Sequence, residues 1–381
     1  MIKAIAVVLL FAGTIPALAA RDVSVAKLQS ELSGMERKPD KEIARRLEGM
    51  TLSERLSTAR LAQLQQSLPG PESRAALLAL ADASAFLRLP ESEEVEKAAP
   101  DAEAQRAMLQ SAGNYVSQTL SKLPNFFATQ KVLHFEDAPA FQRQGYYFPK
   151  EPLQAVSDAK GVVLYRDRKQ VVDWNGAKSA KDAPPIVGLI TSGEFGPILG
   201  TVLADAAQGK IEWSHWDHGN PNDIAVFRYE VPKEKSHYEV KFCCIESDVA
   251  NVFQQFSSYH GEIALDPATG TILRITMQAD LKPPKPVSTS SLMVEYGTVD
   301  IGGKSYICPR RSVAEVRAYQ QTAPKSPEEP PNGLGLHSVD ISSGGSGFLQ
   351  TLLNDVSYED YHLFRSESRV ITTEDSGSRK N

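Results

Sequence analysis

His215-Trp216-Asp217-His218 is the cluster most suggestive of metal chemistry, because it sets two imidazoles and a carboxylate close together. Its spacing differs from the i, i+4 helical pair of zinc hydrolases, and no glutamate-bearing helix precedes it. On a strand the two histidines would point to opposite faces. The segment reads as an exposed strand end ahead of the Gly219-Asn220-Pro221-Asn222 turn, and no metal site is assigned. Ser157-Asp158-Ala159-Lys160 matches the S-x-x-K element of penicillin-recognising enzymes but lacks the S-D-N and K-T-G partners that chemistry needs. No G-x-S-x-G elbow or phosphate-cradling glycine loop is present, and no local carboxylate pair stands out. Trp174, Trp213 and Trp216 read as packing residues. The sequence therefore nominates no catalytic residue and no cofactor.

Three cysteines, Cys243, Cys244 and Cys308, matter if the chain is exported to an oxidising compartment. An odd count leaves one thiol unpaired or paired with another chain. A bridge between adjacent residues would strain the intervening peptide, so Cys308 is expected to pair with Cys243 or Cys244. The alternation of His237, Glu239, Lys241 and Cys243 against Tyr238, Val240, Phe242 and Cys244 puts Cys244 on the more apolar face and favours it slightly. Closing so long a loop contributes ~3–5 kcal/mol in the chain-entropy model.

The elements that must carry any site fall into two regions. Up to about Leu123 the apolar spacing is helical, in several short amphipathic segments. Thr51-Leu52-Ser53-Glu54 reads as a capping box opening one of them. Pro69-Gly70-Pro71, Pro90 and Pro124 punctuate the rest. From Gln130 the period is two. Expected hairpins are 161–165 with 170–174, 224–231 with 238–244, 262–265 with 271–281, 292–301 with 304–317, and 355–364 with 367–371. In the 271–281 strand, Leu273, Ile275, Met277 and Ala279 oppose Arg274, Thr276, Gln278 and Asp280, which implies one apolar and one wetter face. A helix between Gly196-Pro197 and Gly209 carries a wide apolar stripe from Phe195, Ile198, Leu199, Val202 and Leu203, and the sheet's apolar face is the partner available to cover it.

The expected fold is therefore α+β: an N-terminal helical bundle or hairpin array, then a large curved antiparallel sheet, an open half-barrel with a covering helix. The domain reading is a signal peptide at 1–19, a helical domain at 20–128, a β domain at 129–371 with loops at 282–291 and 322–347, and a disordered tail at 372–381. Lys3, the apolar run from Ala4 to Ile15, Pro16 and Ala17-Leu18-Ala19 form the three regions of a secretory signal, with cleavage expected before Ala20. A periplasmic or secreted location follows from that reading. No later apolar run is long enough to cross a membrane. The net charge of −6, with no evident basic face, argues against a nucleic-acid partner.

Gly261-Glu262-Ile263-Ala264-Leu265-Asp266-Pro267-Ala268-Thr269-Gly270-Thr271-Ile272-Leu273-Arg274 resembles the strand–DP-x-TG–strand hairpin of periplasmic lipoprotein carriers and related lipid-binding proteins. Val299-Asp300-Ile301-Gly302-Gly303-Lys304-Ser305-Tyr306 is a weaker match. The likeness spans roughly 161–371 and implies a lipid or an acylated envelope protein held in a half-barrel, with Phe195, Ile198, Leu199, Val202 and Leu203 lining the pocket. The chain as a whole, through Leu80-Ala81-Asp82-Ala83-Ser84-Ala85-Phe86-Leu87 and Leu123-Pro124-Asn125-Phe126-Phe127-Ala128, also resembles an uncharacterised family of exported bacterial proteins. Three functional expectations follow. The first is a non-enzymatic binding protein. The others are an envelope structural or interaction protein docking through its helical domain, and a hydrolase whose site assembles from distant residues.

Overall fold

The computed structural model describes residues 21–364 except 36, 139–140, 144–145, 149, 175–187, 190, 192, 220–221, 244–252, 283–285 and 321–347. The signal segment, the 322–347 loop, the 367–371 strand and the tail lie outside the described residues. The helical region runs β1 (Arg21–Val23), α1 (Val25–Ser33), α2 (Asp40–Glu48), β2 (Met50–Leu52), α3 (Thr58–Gln66), α4 (Pro71–Ala83) and α5 (Ala102–Lys122). The strand region follows with β3 (Phe126–Ala138), β4 (Phe141–Arg143), β5 (Tyr146–Phe148), β6 (Glu151–Arg166), β7 (Lys169–Asp173) and β8 (Gly188–Leu189). After α6 (Pro197–Gln208) come β9 (Lys210–Asp217), β10 (Ile224–Val231), β11 (Glu239–Cys243), β12 (Phe253–Phe256) and β13 (Tyr259–Leu265). The last strands are β14 (Ile272–Ala279), β15 (Val287–Asp300), β16 (Ser305–Gln320) and β17 (Phe348–Leu363).

Ten strands form one open antiparallel sheet in the order β7-β6-β3-β17-β16-β15-β14-β13-β10-β9. Three expected hairpins are present. β6 and β7 turn at Asp167 and Arg168, β13 and β14 at Gly270, and β15 and β16 at Gly302 and Gly303, all with positive φ. Gly270 has a second reason to lack a side chain: a Cβ there would fall 2.4 Å from the Ser111 backbone in α5. Two expectations are corrected, the 224–231 with 238–244 hairpin and the extent of the 282–291 loop, whereas 367–371, the expected partner of 355–364, lies outside the described residues. β10 pairs with β9 and β13, while β11 leaves the main sheet to join β12 and β8. β17 inserts between β16 and β3, which closes the meander back onto the first long strand. The expected 282–291 loop is shorter, because β15 already starts at Val287.

The supposed capping box is a strand. Met50 and Leu52 are buried and Thr51 exposed, a period of two, and β2 pairs in parallel with β1. Ser57 caps α3, accepting from the Arg60 amide, while the Glu54 carboxylate accepts from the Val25 amide at the start of α1. Pro71 occupies the first turn of α4, and its Glu72 and Ser73 amides donate to the Asp40 carboxylate on α2. The helices do not form one bundle. α1 to α4 share a core of Leu28, Ile43, Leu47, Leu61 and Leu77, and α4 lies on the sheet face carrying Phe135, Met293, Val313 and Leu353. By contrast, Ala112 and Val116 of α5 pack into the opposite face with α6.

That opposite face holds the largest core, built from Phe227, Tyr229, Ile263, Ile275, Leu292 and Val316 under Leu199, Val202 and Ala206 of α6. Both faces of the sheet are thus covered. The face that reads as wetter is the one under α4, where Arg274 and Thr276 are 9% and 3% exposed. Its alternation marks a second, polar-containing interface rather than a solvated surface.

Because Leu199 is buried against the sheet, Leu199→Asp should destabilise the protein by about 3–5 kcal/mol, the cost of an uncompensated buried charge. Ala204→Asp, on the exposed side of α6, should stay within about 0.5 kcal/mol of the parent. Urea unfolding of both variants checks this; equal stabilities would show that α6 does not pack on the sheet.

Candidate functional site

On the sheet face under the helices, Arg274 of β14, Glu295 of β15 and Arg311 of β16 stand directly opposite one another across the strands. Alternating charge at such positions is favourable when paired and costly when buried unpaired. The helical layer completes the pairing. Arg311 donates to Asp355 of β17 at 2.6 Å and to Asp82 of α4, whose carboxyl is fully buried. Thr58 at the start of α3 donates to Glu295 at 2.7 Å. Arg55, in the segment before α3, reaches Asp217 at the end of β9 at 3.1 Å.

Asp217 is a hub. Besides Arg55 it meets Arg274 at 3.5 Å and His215 at 2.9 Å, while Arg274 also reaches Glu262 at 3.3 Å. Burial works against the Asp217 carboxylate, but the His215 bond and the Arg55 charge outweigh it and hold its pKa below the usual value. Asp82 goes the other way. Burial pushes its pKa well up despite Arg311, and the neighbouring Asp355 carboxylate adds to the rise. Burial opposes the Arg311 cation too, yet Asp82 and Asp355 together keep it firmly protonated.

Between these groups the interface does not close. A cavity of about 600 Å³ remains, bounded by Arg55, Thr58 and Arg60 on the helical side and by Asp217, Arg274, Met293, Glu295 and Arg311 on the sheet. Its size falls within the range of small-molecule sites, ~300–1,000 Å³. His218 lines it as well. His215 and Asp217 lie two residues apart on one strand face, and the His215 Nε2–H donates to the Asp217 carboxylate at 2.9 Å.

A second cavity, of about 610 Å³, lies along the same interface between Leu47, Met50, Ala76 and Leu80 and the sheet residues Asp137, Glu315, Arg317 and Thr351. Burial pushes the half-buried Glu315 carboxyl up to about 7, opposed by Arg317 and reinforced by Asp137.

The residues nominated from sequence fall elsewhere. Leu199 and Val202 belong to the main core, Phe195 to an aromatic cluster with Phe126, Tyr165 and Tyr358, and Ile198 and Leu203 pack partly buried against the main core. Ile198 also borders a cavity of about 200 Å³ with Leu189, Tyr238, Met277 and Leu292. Cys308 is a buried free thiol, with its pKa raised by burial to about 12. Cys244 lies outside the described residues, as does the side chain of Cys243. Ser157 and Lys160 sit exposed on β6 and, three apart on a strand, point to opposite faces. Trp216 donates to the Ala98 carbonyl and stacks edge-on against Trp213. Arg55, Arg274 and Arg311 were missed as site residues. The one sequence clue was a charged residue repeating in register on adjacent predicted strands.

Comparison with protein-family models, curated proteins and solved structures finds no match.

The raised Glu315 carboxyl has a definite pH consequence. The native state binds its proton up to pH about 7, whereas an unfolded glutamate releases it near 4.5, so this group's contribution falls as pH rises between those values. Glu315→Gln should therefore add about 1–3 kcal/mol of stability at pH 8 and almost nothing at pH 4. Urea unfolding at the two pH values measures it; an equal effect at both would refute the desolvated carboxyl.

Proposed function

We propose that this chain is a non-enzymatic binding protein whose ligand occupies the cleft between the α1–α4 layer and the sheet. The observation that carries the reading is the open space itself. Along its apolar patch this interface closes on Ala79, Ala85, Phe135, Met293, Val313 and Leu353, as interiors packed to crystal-like density do. At Arg55, Arg274 and Arg311 it leaves about 600 Å³ walled by charged side chains from both layers. An interface evolved only for cohesion gains nothing from an unfilled, polar cavity.

In this reading the protein is exported through the signal at 1–19 and acts in the periplasm or outside the cell. No helix among the described residues is long and apolar enough to cross a membrane. The lipid or acylated ligand implied by the half-barrel resemblance would have to lie beneath α6. Core side chains there border about 200 Å³, less space than the cleft offers. Docking of another envelope protein through the helical domain has less support, because α4 turns its apolar face to the sheet.

Ala59 is exposed and lines the cleft, so Ala59→Trp should obstruct it without disturbing a core. Native mass spectrometry before and after organic extraction should find a non-covalent small molecule on the parent protein and none on the variant, with the same circular dichroism spectrum for both. The same bound mass on both proteins, or none on either, would contradict the cleft as the ligand site.

A further inference from the structure

The donors around the cleft outnumber the acceptors offered to them. A guanidinium carries five N–H donors in a fixed fork. Among the described residues the Arg55 side chain makes one hydrogen bond, to Asp217, and the Arg274 side chain makes one, to Glu262. Both side chains are buried, and the Nε of each has no partner. Arg60 differs: it is matched to Glu93 at 3.0 Å and to Gln29. Arg311 is likewise taken up by Asp82 and Asp355. The shortage is therefore confined to Arg55 and Arg274, which share the single Asp217 carboxylate, itself also engaged by His215.

Buried donors left unmade are expensive, and each unpartnered one in a native structure calls for water, an ion or a ligand. Two guanidiniums beside one cavity suit an oxyanion in particular. Their parallel N–H groups match the spacing of carboxylate or phosphate oxygens in a way that a lysine ammonium does not. The hydroxyls of Thr58 and Ser57 on the helical wall already donate to Glu295 and Glu93, which leaves the two guanidiniums as the donors open to a ligand. We propose that the cleft binds a small organic anion, held through its carboxylate or phosphate group by Arg55 and Arg274. This rests on the reading of the cleft as the ligand site and specifies its chemistry.

The test is isothermal titration of the full-length mature protein with citrate and, separately, with inorganic phosphate, at low ionic strength and with chloride as the matched control. At least one of the two should bind saturably and raise the melting temperature with the logarithm of its concentration. The anion that binds identifies the head group. Arg55→Lys keeps a cation beside Asp217 but removes the fork, and should weaken binding by about tenfold or more. Lys169→Gln, which removes an exposed cation on β7 at the far edge of the sheet, should leave the affinity unchanged. Circular dichroism of both variants confirms folding; should Arg55→Lys not fold, Arg274→Lys takes its place with the same expectation. Absence of saturable binding by either anion, or equal affinity in parent and lysine variant, overturns the proposal. A neutral molecule found on the parent protein and lost from Ala59→Trp would overturn it as well, while leaving the cleft as the ligand site.

Discussion

Arg311 holds the two layers of this protein together. Its guanidinium leaves β16 on the sheet face under the helices and meets Asp82 of α4 on one side and Asp355 of β17 on the other. Removing one member of such a buried group costs about 3–5 kcal/mol, because the remaining charge stays desolvated. The sheet face accordingly cannot simply be hydrated on one side and packed on the other. Its charged row needs partners, and α4 supplies one at the point where the apolar patch of Phe135, Met293 and Leu353 begins. Pairing and packing together fix where the helices dock. The cleft is what remains between that fixed contact and the second one, Arg55 with Asp217.

Local patterns in the sequence were sufficient for elements whose partners are near in the chain. The β13–β14 and β15–β16 hairpins rest on turn residues that take positive φ, and α6 on a proline, a glycine and an unbroken apolar stripe. Long-range pairing was not legible. Nothing local tells β17 to insert between β16 and β3, since any long amphipathic strand satisfies either neighbour equally. β11 looked like the partner of β10 because only a short turn separates them, yet β10 is already hydrogen-bonded on both edges by β9 and β13. The capping-box misreading has a similar origin: Thr51 and Glu54 have the right types and spacing, but burial of Met50 and Leu52 on alternate residues selects a strand.

The site was harder still to read. Arg55 and Asp217 are 162 positions apart, and nothing local to either points to the other as a partner. The His215–His218 cluster drew notice for metal chemistry, while Asp217 within it serves as the acceptor shared by two arginines and a histidine. Arg274 was recognised as facing away from Met277 and assigned to water, the usual fate of an arginine on an alternating strand. A sheet covered on both faces reverses that inference. The polar alternate then becomes the interface, and its unpaired donors become the most informative groups in the molecule.

The central claim is that the Arg311 group couples the helical layer to the sheet energetically. A double-mutant cycle in urea unfolding, using Arg311→Met, Asp82→Leu and the combination, measures this coupling directly. The account predicts that each single change is costly and that the double variant recovers about 1–3 kcal/mol relative to their sum. Additive costs, with no recovery in the double variant, would show that the two layers dock without this pair and would contradict it.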